Sequence, residues 1–343
     1  MALNETAAKD TTPSGASPSR AVSEREPGQN RVDLILGFVV MALLGVAPLL
    51  GATDFHLSLL LEVMIFAILA MSLNLILGYA GLVSFGHAAF FAVGAYAAGA
   101  AANQIGTEAW ISFPIGVVVA TLLAVPVGWL SIRLSGFYFL MITFAFAQMV
   151  YAVVYRWNWL TGGSDGLLIS APTLFGEPVL QSRQSLYFFA LVCFGLSFLA
   201  MHRVIASPFG RVLVGIRENT RRMRALGYNV RNYKLAAFVI AAAFAGLAGV
   251  IIAQLNLFIA PESAHWTQSG LVLVMVLIGG TRSMIGSVVG ATIVLLLQHW
   301  LSSYTEYWSL ALGLLFIALI LWAREGLYGL AARALALLRE RTG

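Results

Sequence analysis

Long apolar runs alternate with short polar connections along most of this chain. The runs lack the strict apolar–polar alternation of barrel strands, so they predict helices. A helix needs about 20 apolar residues to cross the hydrocarbon core of a bilayer. About ten segments approach that length: 34–51, 58–78, 88–105, 111–132, 137–155, 185–203, 235–257, 268–281, 284–301 and 308–323. The predicted fold is all-α, a polytopic transmembrane helical bundle.

The composition supports a membrane protein. Apolar residues make up 60% of the chain and charged residues only 10%, whereas soluble proteins average about 25% charged residues. The net charge of +5 does not indicate a nucleic-acid partner, because the basic residues lie in connections and no basic soluble domain is present. Membrane lipid is therefore the expected surrounding.

The charges divide between two sets of connections. One set is acidic, at 52–57, 106–110, 156–184, 258–267 and 302–307. Its charged residues are Asp54, Glu108, Asp165, Glu177, Glu262, Glu306, Arg156 and Arg183. The opposite set is basic: Arg133, the cluster at 203–234, Arg282 and the C-terminal Arg324, Arg333, Arg339 and Arg341. By the positive-inside rule the basic side is cytoplasmic, which predicts both termini in the cytoplasm.

The two ends of the chain differ from its centre. Residues 1–32 are polar and contain three prolines, so they predict a disordered cytoplasmic tail. The first apolar run follows as a retained anchor. Residues 33–323 form the predicted transmembrane domain. Residues 324–343 place leucines on one helical stripe and arginines off it, which predicts an amphipathic helix on the cytoplasmic surface or a frayed tail without a role.

Two stretches interrupt the regular spans. Residues 268–281 would extend only about 20 Å as a helix and end in Gly279-Gly280. Residues 78–87, GYAGLVSFGH, form a Gly- and Ser-rich break. Such breaks at membrane depth are tolerated where backbone is buried or lines a cavity, so they indicate a substrate path. The alternative is a tight loop at the membrane surface.

Few ionisable residues lie within the spans, and most candidates for a functional role lie at or beside the break at 78–87. The predicted path residues are Asn74, Gly78, Gly81, Ser84, Gly86 and His87. Asn74 is alternatively a hydrogen-bonding residue between helices, and His87 a structural histidine without metal-ligand spacing. Glu62 is expected to reach the membrane interface.

Catalytic patterns do not appear in the sequence. There is no H-E-x-x-H, no G-x-S-x-G and no phosphate-binding G-x-x-x-x-G-K-[ST]. The two lysines, Lys9 and Lys234, lie outside glycine-rich loops. We therefore expect no enzyme and no cofactor in this chain, and any ATP that drives its work must bind to a partner subunit.

A basic segment at 207–234 is too patterned for a simple connector. Eight Lys or Arg residues fall between Arg203 and Lys234, with Glu218 as their one acidic neighbour. Residues 217–226 predict a short amphipathic helix that ends at Gly227. The segment predicts a docking element for a cytoplasmic partner. A topogenic loop is the alternative, although it would need neither the helix nor its cap.

Several motifs in order resemble one family over roughly residues 55–325. They lie at 74–90 (NLILGYAGLVSFGHAAF), 94–96, 136–139, 144–149, 160–167 (LTGGSDGL), 207–211, 216–219, 225–228 and 279–280. The chain resembles the LivM-type permease subunit of branched-chain amino acid ABC transporters, and it is nearer to this type than to the H-type subunit. One departure is Arg282, which stands where the family usually has a glycine.

The resemblance implies a role for each matching motif. Residues 204–234 would be the coupling loop, and its contacts with the ATPase would be Arg217, Glu218, Asn219, Arg221, Arg222, Ala225 and Gly227. The residues around the break would line the path or pack beside it. Gly162, Gly163 and Asp165 would meet a periplasmic binding protein on the outer face.

The resemblance also implies partners and a function. The partners would be two cytoplasmic ATPase subunits that bind ATP, a second homologous permease and the binding protein, in a bacterial inner membrane. The chain would import branched-chain or related hydrophobic amino acids. The same architecture serves urea, amides and aromatic acids, and a stand-alone carrier or channel is a further alternative.

Overall fold

A computed structural model describes residues 27–50, 53–174, 176–177, 182–281, 283–304, 306–307, 309–310, 313–314 and 316–317. Most of the predicted N-terminal tail, most of the span predicted at 308–323 and the whole C-terminal segment at 324–343 lie outside these residues. Arg282 lies outside them as well. Residues 27–32 of the predicted disordered tail are helical and begin the first helix, so the prediction was wrong for them. The predictions for the residues outside the described ranges stay predictions.

The described chain is almost entirely helical. The helices are α1 (Pro27–Val46), α2 (Asp54–Asn74), α3 (His87–Gln104), α4 (Ala109–Ser131), α5 (Phe137–Arg156), α6 (Asn158–Thr161), α7 (Arg183–Ala206), α8 (Pro208–Glu218), α9 (Thr220–Ala225), α10 (Val230–Asn256), α11 (Trp266–Gly279) and α12 (Met284–Ser302). Shorter 3-10 turns occupy Ala47–Leu50, Gly163–Asp165 and Pro261–Ala264, and a π-helical turn at Leu75–Tyr79 continues α2. Two short strands, β1 (Leu167–Leu168) and β2 (Phe258–Ile259), pair antiparallel.

Nine of the predicted spans coincide with helices: α1 to α5, α7 and α10 to α12. Among the described residues, six helices are long and apolar enough to cross a membrane: α2 with its π-helical turn, α4, α5, α7, α10 and α12. Shorter apolar helices occupy Asp33–Val46 and α11. The protein is therefore a polytopic helical membrane protein. The total of about ten crossings and the side on which the termini lie stay predictions.

Helix α2 forms the centre of the bundle. Its residues from Val63 through Asn74 are buried on every side, because α7, α10, α11 and α12 surround it. In contrast, α4, α5 and α7 each leave much of their apolar surface exposed. Such surfaces suit lipid or a neighbouring subunit, since lipid tails are as apolar as these side chains.

Glycines bring the helices of the bundle into close contact. A Cβ atom on Gly94 of α3 would lie 2.6 Å from the Cα atom of Gly246 in α10. A Cβ atom on Gly249 would overlap the carbonyl oxygen of Phe91. The backbones of α3 and α10 therefore approach as closely as small residues allow, which increases dispersion contact between helices in lipid.

Helices α11 and α12 form a tight hairpin. The chain turns at Gly280, whose φ of 108° favours glycine, and a Cβ atom on Gly290 would overlap the carbonyl oxygen of Met275. With 14 residues, α11 extends about 21 Å. The prediction of a short helix that ends in a Gly-Gly turn is confirmed.

Replacement of Gly94 by alanine tests the close contact of α3 and α10. We expect Gly94→Ala to destabilise the protein by about 1–3 kcal/mol, because its methyl group would collide with backbone that has no room to move. Thermal unfolding in detergent measures the effect.

Gly45→Ala is the matched control for that substitution. Gly45 is also helical, but its added Cβ atom would meet only the Leu191 side chain, at 3.7 Å. The control should unfold at or slightly above the wild-type temperature. Equal midpoints for the two variants would contradict the packing argument.

Candidate functional site

The basic segment folds as two helices rather than one. Helix α8 begins with Pro208, whose fixed φ suits the first helical turn. It stops at Asn219, which adopts an extended conformation with φ of −151°. The Asn219 side chain then accepts a hydrogen bond of 2.9 Å from the Arg222 backbone N–H and caps α9. The prediction of a single helix over 217–226 was therefore wrong, because an asparagine that can cap a new helix interrupts it.

Gly227 follows the end of α9 with a φ of +86°. Its backbone N–H donates to the carbonyl of Arg224, and that of Tyr228 donates to Met223. These bonds satisfy carbonyl groups at the helix end, which is the usual function of a glycine at this position.

The pair α8–α9, called here the coupling element, has one apolar and one basic face. Val212, Ile216 and Met223 are buried in a small cluster with Val230 at the start of α10. The opposite face exposes Arg211, Arg221, Arg222 and Arg224. Six of the seven predicted contact residues are exposed: Glu218, Asn219, Arg221, Arg222, Ala225 and Gly227. The coupling element is therefore packed against the bundle and open to a partner.

Arg217, the seventh predicted residue, is half-buried and points to the bundle. Its guanidinium donates a hydrogen bond to the backbone carbonyl of Gly78. Its aliphatic part lies against Gly81, where an added Cβ atom would be 2.9 Å from the Arg217 Cγ atom. Gly81 also has a φ of +70°, which favours glycine. One side chain thus connects the coupling element to the break between α2 and α3.

The break itself, residues 80–86, is held by side-chain and backbone bonds. The Leu82 N–H donates to the Ile76 carbonyl at 2.8 Å. The Phe85 N–H donates to Thr143 Oγ1 on α5 at 3.3 Å, and the Gly86 N–H to Ser84 Oγ at 3.2 Å. These bonds replace those that a continuous helix would have made. The break is a defined structure that depends on α5.

His87 begins α3 and is buried, with 1% of its surface exposed. Its Nε2 lies 2.7 Å from Ser72 Oγ on α2. Because the Ser72 hydroxyl donates its hydrogen to the Leu69 carbonyl, it accepts from an Nε2–H of His87. The next residue, Ala88, donates its N–H to Ser269 Oγ on α11 at 2.9 Å. The start of α3 is thus bonded to both α2 and α11.

Asn74 connects α2 to α12. Its Nδ2 donates to the Ser283 carbonyl at 2.9 Å and to Ser287 Oγ at 2.8 Å. Ser283 also caps α12 through a 3.0 Å bond from the Gly286 N–H. This is the interhelical hydrogen bonding that the sequence offered as one alternative for Asn74.

The predicted path residues thus share a mainly internal environment. Five of the six are buried within this chain, namely Asn74, Gly78, Ser84, Gly86 and His87, and Gly81 is exposed. Their part in a path stays a prediction. Within the described part of the chain, no group of three or more His, Cys, Asp or Glu residues is placed to hold a metal ion.

Residues 161–166 form a tight glycine turn at the other end of the bundle. Gly162 and Gly163 have φ of 73° and 61°, and a Cβ atom on Gly162 would overlap the Gly166 carbonyl. Asp165 is exposed and Gly163 is buried. Of the three residues predicted to contact a binding protein, Asp165 has the accessible side chain, and the glycines shape the turn that presents it.

Comparison with known proteins agrees with this architecture. Residues 55–322 match the family model described as branched-chain amino acid transport system / permease component. The chain belongs to this permease family. Its relatives are transport components rather than enzymes. No solved structure matches it.

Individual permeases of the family align over most of the chain. The high-affinity branched-chain amino acid transport system permease protein LivM of Escherichia coli (strain K12) is 31% identical over 287 residues, which are 77% of this chain and 68% of that protein. LivH of Salmonella typhimurium is 24% identical over 282 residues, 77% of this chain and 91% of LivH. The predicted resemblance to the LivM type is confirmed.

Sequence reasoning missed the partners that hold the break in this permease. Thr143, Ser269, Ser283 and Ser287 were not predicted, because they lie between 58 and 213 residues from the groups they bond. Serine and threonine residues within apolar runs indicated that hydrogen bonds between helices could form. The sequence pattern does not show which groups they bond.

Substitution of Arg217 tests the connection between the coupling element and the break. We expect Arg217→Gln to accelerate hydrogen exchange at the Leu82, Phe85 and Gly86 amides by roughly tenfold or more, since a bond to a charged donor is lost. Exchange in the purified protein measures this effect. Arg221→Gln, on the exposed face, is the control, and equal exchange in both variants would refute the connection.

A double-mutant cycle tests the bond between α2 and α12. Asn74→Ala and Ser287→Ala should couple by about 0.5–1.5 kcal/mol in thermal or denaturant unfolding, the range of interhelical hydrogen bonds in membranes. Thr292 bonds within its own helix, so Asn74→Ala with Thr292→Ala should be additive. If Asn74→Ala and Ser287→Ala were also additive, the bond between these two residues would contribute nothing to the free energy of unfolding.

Proposed function

We propose that this chain is the membrane-spanning permease subunit of an ABC importer for branched-chain or related hydrophobic amino acids. Two cytoplasmic ATPase subunits would supply the energy by ATP hydrolysis. A second homologous permease would complete the membrane part, and a periplasmic binding protein would deliver the solute. The names of the LivM and LivH relatives support the substrate class.

One observation carries the proposal: the coupling element exposes a basic face and connects through Arg217 to the break in the bundle. A stand-alone carrier would have no use for that exposed face. An ATPase subunit with an acidic groove would receive Arg221 and Arg222, while the buried Ile216 and Met223 keep the element on the bundle.

The proposed mechanism uses these contacts as a path for motion. When the ATPase subunits close, they would displace α8 and α9, and Arg217 would carry the displacement to Gly78 and Gly81. The bond from Ala88 to Ser269 would then couple α3 with α11. Packed helix interfaces tend to have discrete alternative arrangements, so the bundle would rock between outward- and inward-facing states.

The proposed topology follows from placing the coupling element against cytoplasmic ATPase subunits. The coupling element and both termini lie in the cytoplasm, the chain crosses a bacterial inner membrane about ten times, and Asp165 faces the periplasm. The domain limits are the N-terminal tail at 1–32, the permease domain at 33–323 and the cytoplasmic segment at 324–343.

The proposal is tested by a charge reversal on the coupling element. We expect Arg221→Glu with Arg222→Glu to lose ATPase subunits when the complex is purified through a tag on this chain, and to abolish uptake of radiolabelled leucine. The reason is that two favourable charge contacts become repulsive. Insertion into the membrane should not change.

Arg203→Glu is the matched control, because Arg203 is exposed at the end of α7 but lies outside the coupling element. It should retain both the ATPase subunits and transport. Purification of the wild type without any ATPase subunit, or normal uptake by the double variant, would reject the proposed function.

A further inference from the structure

A cavity of about 390 Å³ opens at the end of the bundle where α2 and α7 begin and α10 and α12 end. It is separate from the coupling element and from the break at 80–86. Its volume lies within the range of about 300–1,000 Å³ that is common for small-molecule sites. Its wall combines charged and apolar side chains, which is unusual for a crevice within a helical membrane bundle.

Side chains of opposite charge line this cavity. Glu62 lies half-buried about 12 Å, or two turns, along α2 from Asp54. Within the described residues its carboxylate accepts no hydrogen bond and forms no direct ion pair, although His299 is near enough to interact with it electrostatically. A half-buried carboxylate in this position favours a cation, since its burial costs free energy that a partner would recover.

Arg183 supplies the positive charge at the beginning of α7. One of its terminal nitrogens donates to the Leu255 carbonyl at 3.4 Å, which orients the guanidinium. A guanidinium has five N–H donors, so it retains several that can bind an anionic group bidentately. The side chain is exposed and lines the cavity.

The rest of the wall is apolar. Phe55, Leu59 and Ile252 line it, and the Phe55 ring contacts His299 with a centroid distance of 5.0 Å. Such a wall suits hydrocarbon. The cavity therefore offers an acceptor for a cation, a donor for an anion and an apolar surface within one site.

We propose that this cavity binds a zwitterion with a primary ammonium group, an anionic group and a hydrocarbon part. Glu62 binds the ammonium and Arg183 binds the anionic group, while the apolar wall receives the hydrocarbon. Two sources have this chemistry: a phospholipid with an ethanolamine headgroup, and a free amino acid with an apolar side chain. The amino-acid source rests on the proposed function, whereas the lipid source does not. Binding is measured without transport, so a failure of this inference and a failure of the proposed function can be distinguished.

The test uses the full chain, purified in detergent with whatever subunits accompany it. Native mass spectrometry measures retention of phosphatidylethanolamine, with phosphatidylglycerol as the lipid that lacks the ammonium. Calorimetry measures binding of L-leucine, with 4-methylpentanoate as the analogue that lacks the ammonium. In each pair, the compound with an ammonium should bind at least about tenfold more tightly than its analogue. The reason is that the analogue cannot form the charge-assisted hydrogen bond to Glu62.

Two variants assign the binding to this cavity. Glu62→Gln and Arg183→Gln should each weaken binding of the zwitterion by roughly tenfold or more. Glu62→Gln should not weaken binding of the compounds without an ammonium, because a carboxylate repels their anionic group. Glu108→Gln and Arg156→Gln, which do not line the cavity, are the matched controls and should bind as the wild type does.

The possible outcomes distinguish a lipid ligand from an amino-acid ligand, and they also show whether the proposal is wrong. Retention of phosphatidylethanolamine that depends on Glu62 identifies a lipid site, and leucine binding that depends on Glu62 identifies a solute site. If the wild type binds neither, or does not distinguish either compound from its analogue, the proposal is wrong. Wild-type affinity in both cavity variants would also overturn it. The wild-type comparisons remain decisive even if a variant fails to fold.

Discussion

The rest of this structure depends on one constraint: backbone polar groups inside a membrane must find hydrogen-bond partners within the protein. A continuous helix satisfies them by itself, but residues 80–86 between α2 and α3 are not helical, and four of the seven are buried within the protein. The hydroxyl groups of Thr143 and Ser84 accept hydrogen bonds from the N–H groups of Phe85 and Gly86 there. Arg217 binds the Gly78 carbonyl from the coupling element. The break and the end of α2 beside it are therefore bonded to α5 and α8 as well as to neighbouring residues.

Arg217 joins the coupling element to this region through its bond to the Gly78 carbonyl and its contact with Gly81. Backbone N–H and C=O groups that water would bind in a soluble protein are here hydrogen-bonded to residues of distant helices. Displacement of one helix would therefore leave the backbone group on the other helix without a partner. The cost of an unsatisfied group in a low-dielectric surrounding is several times the net value of the bond itself. A movement of α8 is thus expected to be passed on to α2 and α3 rather than absorbed locally.

The sequence predicted more of the fold than of the site. Apolar run length located nine helices that the structure describes, because in lipid the apolar length of a segment nearly determines whether it is a helix. The breaks at 78–87 and 279–280 were also evident from glycine. The split at Asn219 was missed, since an asparagine in an amphipathic pattern is compatible either with a helix interior or with a cap. The partners of Asn74 and His87 lay in other helices, where no local pattern identifies them.

The sequence by itself determined the class of protein, the positions of most helices, the basic segment and the permease family. It did so because hydrophobicity, charge and glycine act locally or through membrane position. The tertiary structure alone decided which helices touch. It placed Arg217 on Gly78, Asn74 on Ser287, and Glu62 with Arg183 around one cavity. Those contacts depend on which helices pack side by side and on how each helix is rotated about its own axis. The length of an apolar segment carries no information about either property.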